Sequence, residues 1–310
     1  MSPRAAIAFL PAAGGDAPDL NVFRNGPDDL IDIMVIDYPG WRRYITEGYS
    51  ADALIDDIAV KIAATIPAGP IRIVGVSIGG HLGYAVGLRL QAQGRDIAGL
   101  CAIDSTMIES SRPSPGWKRR ALELALEQLR GFRLGDLARF MRSRLWRSLA
   151  RAPGDRLPWI ARRCSPGLPL LFALDPIFEQ ELSMRLLIRI VAPWMGSADR
   201  NPVTLGAPTI LLRTGFAAEH DQAWRRRCPD IDIADIPGKH HTLFDAENVG
   251  ALHERFVRAT SGWRKGPGVR SSSSQQHRDD DGGTPHVPLV SAEHAVAVTP
   301  PHEHVDRPHA

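Results

Sequence analysis

Apolar positions along this chain fall into short blocks whose period alternates. Residues 5–10, AAIAFL, and 32–37, DIMVID, are compact apolar runs closed by Pro11 and by YPG, and both predict short strands. From Ser50 the period changes. In SADALIDDIAVKIAATI the apolar residues recur at helical spacing, Ser50 stands where its oxygen can cap the first turn, and PAGP stops the helix. IRIVG (71–75) then predicts a strand, SIGGHLGYAVGLRLQAQ a helix and IAGLCAID a strand. Alternating strands and helices on short connections imply a parallel sheet with helices on both faces.

The alternation lapses over residues 106–206. Leu- and Arg-rich helical segments such as WKRRALELALEQLRGF and LGDLARFMRSRLWRSLA are broken there by Pro and Gly. It resumes with strands at 208–214 (PTILLRT) and 231–236 (IDIADI) and a helix at 246–260 (AENVGALHERFVRAT). Residues 106–206 therefore read as an insertion between two strands of the sheet, a lid. After Trp263 periodicity disappears, and the last 46 residues hold six of the eleven histidines. The expected organisation is one α/β domain over 1–264 and a disordered tail over 265–310. The scattered histidines of that tail could bind metal, but a flexible tail is the preferred reading, and no metal site is assigned.

A hydrophobic content of 44% with 23% charged residues is that of an ordinary globular protein. No apolar run reaches the ~20 residues of a membrane helix, and the N-terminus reads as a strand, not a signal peptide. Three widely spaced cysteines, Cys101, Cys164 and Cys228, suggest neither a disulfide framework nor a zinc site and fit a reducing cytoplasm. The net charge of +2 is unevenly spread: residues 106–206 carry 17 basic and 9 acidic side chains, and residues 1–105 carry 8 and 12. Near-neutrality overall, with no binding motif beside the basic segment, argues against a nucleic-acid partner.

The candidate chemistry centres on Gly75-Val76-Ser77-Ile78-Gly79. A G-x-S-x-G run between a strand and a helix forms a turn so tight that the flanking residues must be nearly without side chains, and it lifts the hydroxyl clear of the sheet. Ser77 is thus a candidate nucleophile, and the backbone N–H of Ile78 a candidate oxyanion donor. FLPAAGG (9–15) offers a second donor, best placed at Ala12. Serine needs a general base. His240 and His241, in IPGKHHTLF after the last strand, both qualify; His81, on the helix after the elbow, reads as a packing residue. The orienting acid is Asp104, at the end of IAGLCAID, or Asp221, after the following strand.

Together FLPAAGG, DYPGW, PAGPIRIVGVSIGGHLGYAVGLRLQAQG, AGLCAIDS and DQAWRRRCPDIDIADIPGKHHTLF resemble, in order, the thioesterase domains of nonribosomal peptide synthetases and polyketide synthases. The resemblance runs from about Ala5 to Thr260 and matches weakly in the lid. It implies an α/β-hydrolase fold: a mostly parallel central sheet, helices on both faces and a helical lid insertion. Carried over position by position, it implies Ser77 as nucleophile, Asp104 as acid in preference to Asp221, His240 as base with His241 in an aromatic place, and Ala12 with Ile78 as oxyanion hole. Lys239 departs from the pattern, standing where an acidic residue is common. The implied reaction moves an acyl, peptidyl or polyketide chain from a carrier-protein phosphopantetheine thioester onto the serine and releases it to water or an internal nucleophile. A serine esterase for small or lipid-like esters, and a non-catalytic binding protein, are the alternatives on the same fold. No cofactor is implied beyond the carrier's phosphopantetheine arm. The chain begins at the first strand with no carrier domain before it, so action in trans on a separate carrier is expected. Residues 112–163, with 14 basic and 4 acidic side chains, are the candidate docking surface, Arg142, Arg144 and Arg147 foremost.

Overall fold

The computed structural model describes residues 6–15, 17–24, 31–105, 145, 153–215 and 218–264. Most of the first half of the insertion, including Arg142, Arg144 and Arg147, and the tail 265–310 lie outside the described residues.

Six strands form one sheet in the order β2-β1-β3-β4-β5-β6. They are β1 (Ala6–Leu10), β2 (Asp32–Val35), β3 (Ile71–Val76), β4 (Ile97–Ile103), β5 (Thr209–Arg213) and β6 (Ile231–Asp235), and all pair in parallel. This is the α/β-hydrolase arrangement expected from the sequence. The central strands are apolar on both faces because helices cover both. Ile71 and Ile73 of β3 face one core with Leu10, Leu100 and Ala102, whereas Val74 and Val76 face the other with Phe9, Cys101 and Ile103. The edge strands β2 and β6 are only partly buried.

Around the sheet lie α1 (Trp41–Tyr44), α2 (Ala51–Thr65), α3 (Ile78–Ala92), α4 (Leu157–Cys164), α5 (Leu168–Leu174), α6 (Pro176–Arg200), α7 (Ala218–Arg227) and α8 (Val249–Ala259). The expected cap is present, the Ala53 N–H donating to Ser50 Oγ at 3.3 Å. Helices α1 and α7 have no counterpart in the sequence reading. Both are short: α1 is a four-residue turn after Gly40, and α7 is polar apart from a few buried positions such as Ala223 and Trp224, so neither shows an apolar stripe. Helix α8 starts three residues later than its pattern suggests. The Asn248 side chain turns back to donate to Thr242 O at 2.9 Å, so residues 242–248 form turns instead of a first helical turn.

The second half of the insertion is helical and packed down. Leu182, Leu186, Leu187 and Val191 of α6 are buried in the same core as α2 and α3. Phe172 of α5 meets the Trp41 ring edge-on at 5.3 Å, Arg162 Nε of α4 donates to Ile45 O at 2.9 Å, and the Tyr84 hydroxyl donates to Val203 O. No helix among the described residues is long and apolar enough to cross a membrane.

Candidate active site

The carboxyl ends of β1, β3, β4, β5 and β6 deliver the site. Ser77 follows β3 directly, with φ 56° and ψ −121°, a left-handed conformation rare for a residue with a side chain. Holding it costs on the order of 1–3 kcal/mol, offset by the surrounding contacts. Those contacts are backbone: the Ser77 N–H donates to Ile103 O at 2.8 Å, and the Gly80 N–H to Ser77 O at 3.1 Å. The glycines are there because nothing larger fits. A Cβ on Gly75 would lie 2.2 Å from Gly79 O, and one on Gly79 would lie 2.3 Å from Leu10 O. The elbow is thereby pressed between the first turn of α3 and the loop after β1. The N–H groups of Ile78 and Gly79, which open α3, precede the first intrahelical bond and form part of its positive end.

Asp104 ends β4 in the same manner. Its φ is 47°, and its N–H donates to Leu212 O at 2.6 Å, which ties it to β5. Its carboxylate is 2% exposed. Oδ1 accepts from the Thr214 N–H at 2.8 Å and the Thr214 hydroxyl at 2.9 Å, and Oδ2 lies 2.6 Å from His240 Nδ1. Burial alone would raise this carboxyl's pKa, but the bonds from His240 and Thr214 outweigh burial and hold it below the usual carboxylate range. An ionised carboxylate only accepts, so Nδ1 of His240 carries a proton, and in the neutral imidazole the lone pair is on Nε2. That is the tautomer a general base requires.

The loop bearing His240 is stitched to itself. The Lys239 N–H donates to Thr242 Oγ1 at 2.9 Å, the Thr242 N–H to Lys239 O at 2.8 Å, and Gly238 adopts φ 93° against the Asn248 side chain. The His240 side chain is 52% exposed. His241, next along, is exposed too and makes no hydrogen bond to Asp104.

Asp221 and His81 have partners of their own away from the site. Asp221, in the first turn of α7, accepts from Arg213 at 2.7 Å, and Arg213 also reaches Asp235 at 3.1 Å. His81 is buried, stacked on Trp224 at 5.3 Å, and its Nδ1 accepts from Arg227 at 3.1 Å. Ala12 lies two residues past β1, in a turn closed by the Gly15 N–H on Ala12 O at 2.9 Å. Thr214, which supplies two of the three bonds to Asp104, escaped the sequence reading; an isolated threonine after a strand carries no pattern.

The sequence model of the thioesterase domain matches residues 6–157, a span that includes Ala12, Ser77, Ile78 and Asp104. Over that span, just under half of its length, the chain is similar to the thioesterase domain family. Among solved structures, the chain is similar to the NocB thioesterase domain in covalent complex with a fluorophosphonate nocardicin G analogue, with TM-score 0.52 and 19% identity, over 83% of this chain and 95% of that one. It is similar also to RedJ with a polyethylene glycol molecule in its active site, with TM-score 0.50 and 16% identity, over 84% of this chain and 92% of that one. These likenesses show the fold. Among curated proteins the chain is 24% identical over 226 residues to the inactive atromentin synthetase invA4 of Paxillus involutus, covering 67% of this chain. It spans 22% of the length of that relative.

Proposed function

We propose that this protein is a thioesterase that takes an acyl, peptidyl or polyketide chain from the phosphopantetheine thioester of a carrier protein onto Ser77 and releases it by hydrolysis. The observation that carries the reading is the 2.6 Å pair of Asp104 and His240 at the same sheet edge as the strained Ser77 elbow. In the proposed reaction His240 Nε2 removes the Ser77 proton as Oγ attacks the thioester carbonyl. The Ile78 and Ala12 N–H groups receive the oxyanion. Collapse expels the pantetheine thiol, protonated by His240. Water, activated by the same imidazole, then frees the acid and restores the serine. Asp104 stays ionised throughout and stabilises the imidazolium that forms twice per cycle.

The carrier is proposed to dock on the basic segment 112–163 through Arg142, Arg144 and Arg147. Complementary charge would speed its encounter in a salt-dependent way. A second reading, the fold without turnover, is favoured by one observation, the word inactive in the name of the curated relative.

One experiment separates these readings. Rates are measured on a carrier-bound acyl chain, an acyl N-acetylcysteamine thioester and a plain ester, with fluorophosphonate labelling of wild type and Ser77→Ala. The proposal expects labelling at Ser77, loss of labelling and of thioester turnover in Ser77→Ala, and preference for the carrier-bound thioester. A folded Ser77→Ala protein with wild-type turnover refutes the mechanism. Preference for the plain ester refutes the substrate class, and an unlabelled, inert wild type supports the non-catalytic reading.

A further inference from the structure

The loop that carries Ala12 is gripped at two of its carbonyls. The Tyr38 hydroxyl, three residues beyond β2, donates to Pro11 O at 2.7 Å. The same oxygen lies against the first turn of α3, where a Cβ on Gly79 would come within 2.6 Å of it. Two residues past Ala12, Gln180 of α6 donates through Nε2 to Gly14 O at 3.3 Å. The Pro11–Ala12 peptide is trans. Its C=O and N–H therefore point in opposite directions across one rigid plane. Anchoring the carbonyl on the phenol aims the N–H of Ala12 away from it, and no acceptor among the described residues takes that N–H.

We propose that Tyr38 is a positioning residue, whose hydroxyl fixes the Pro11–Ala12 peptide plane and so aims the Ala12 N–H at the oxyanion formed on Ser77. The inference rests on the reading of the site given above. A bond to the carbonyl also draws density toward oxygen and makes the N–H of the same peptide a better donor. The phenol keeps its proton, because burial, with the Tyr44 phenol nearby, pushes its pKa well above the usual range. Without the bond, the plane would be held only by its neighbours, and the donor would have to be oriented during the reaction. Preorganised donors matter because that cost is met beforehand. In the sequence, Tyr38 falls within DYPGW, which marks the end of a strand and forms part of the family resemblance, but nothing there singles out the tyrosine.

The test is Tyr38→Phe, which removes one oxygen and keeps the ring. On the acyl N-acetylcysteamine thioester we expect kcat to fall about tenfold, less than the ~10²–10³ seen when a direct oxyanion donor is removed. KM is expected to stay within about twofold and the thermal midpoint within a few degrees. A second readout follows the peptide itself. The chain contains two Pro–Ala steps, Pro11–Ala12 and Pro67–Ala68. Full-length protein labelled with carbonyl-¹³C proline and ¹⁵N alanine therefore gives two amide signals, the second an internal control. Forming the fluorophosphonate adduct of Ser77 should move the Ala12 signal and leave Ala68 in place, and Tyr38→Phe should lessen that movement. An unchanged kcat with an unchanged Ala12 response overturns the inference while leaving the site reading intact. Parallel changes in kcat, KM and melting, with Ala68 shifted as well, overturn it in favour of a structural role. A wild type that is not labelled at Ser77 overturns the site reading and the inference together.

Discussion

Asp104→Asn probes the pair on which the functional reading depends. The substitution keeps the shape of the side chain. With the amide oxygen toward Thr214, its two bonds there can persist at 2.8 and 2.9 Å. The position of Oδ2, 2.6 Å from His240 Nδ1, is then an NH₂ group, which donates. Nδ1 must become the acceptor, so the imidazole proton moves to Nε2 and the lone pair that would take the serine proton is lost. In serine proteases the equivalent change lowers kcat about 10⁴-fold, which is about 5.4 kcal/mol at 1.36 kcal/mol per decade. We expect a loss of that order in kcat on the N-acetylcysteamine thioester, with KM little changed. Asp221→Asn should instead leave kcat within a few-fold and lower the thermal midpoint, since it weakens the largely buried pair with Arg213. Acid unfolding gives a second readout. The folded-state pKa of Asp104 lies below its unfolded value, so its contribution is present above the unfolded pKa of ~3.9 and fades as pH falls through the folded value. Asp104→Asn should therefore flatten stability against pH below about 4. Activity within tenfold of wild type in Asp104→Asn, with an inactive Asp221→Asn, would refute the argument and place the acid after β5.

Two further outcomes are expected. Gly79→Ala puts a Cβ 2.3 Å from Leu10 O and 2.6 Å from Pro11 O, backbone atoms that cannot rotate away. The loop after β1 must retreat by about 1 Å, which should cost ~10²-fold in kcat and about 1–3 kcal/mol in stability; denaturant titration and steady-state rates check both. Charge reversal of Arg142, Arg144 and Arg147 to Glu should slow deacylation of the carrier-bound chain and weaken its salt dependence, while the N-acetylcysteamine thioester is turned over as before. Equal losses on both substrates would point to a damaged insertion.

Much of this architecture follows from sequence because its causes are local. A strand buried on both faces must be apolar throughout, a helix must cap and stop, and a G-x-S-x-G turn needs glycine where backbone approaches backbone. Hence β1, β3, β4, α2, α3 and the Ser77 elbow were legible from pattern alone, within a residue or two of their ends. The helices α1 and α7 were not, being too short or too polar to carry a period. The site was legible only as a set of residue types in chain order. That order left two histidines and two aspartates open from the residues alone, and the family pattern narrowed them to His240 and Asp104. What separates the two aspartates in the fold is distance, and distance belongs to the sheet. Because β4 lies between β3 and β5, Asp104 is held beside the elbow and bonded by Thr214, while Asp221 begins a helix on β5's far side and pairs with Arg213. Tyr38 and Gln180 illustrate the same limit. Each meets the Ala12 loop from a separate element, 27 and 166 residues away from its partner. No sequence pattern links such positions; they meet only because packing a parallel sheet gathers its carboxyl ends along one edge.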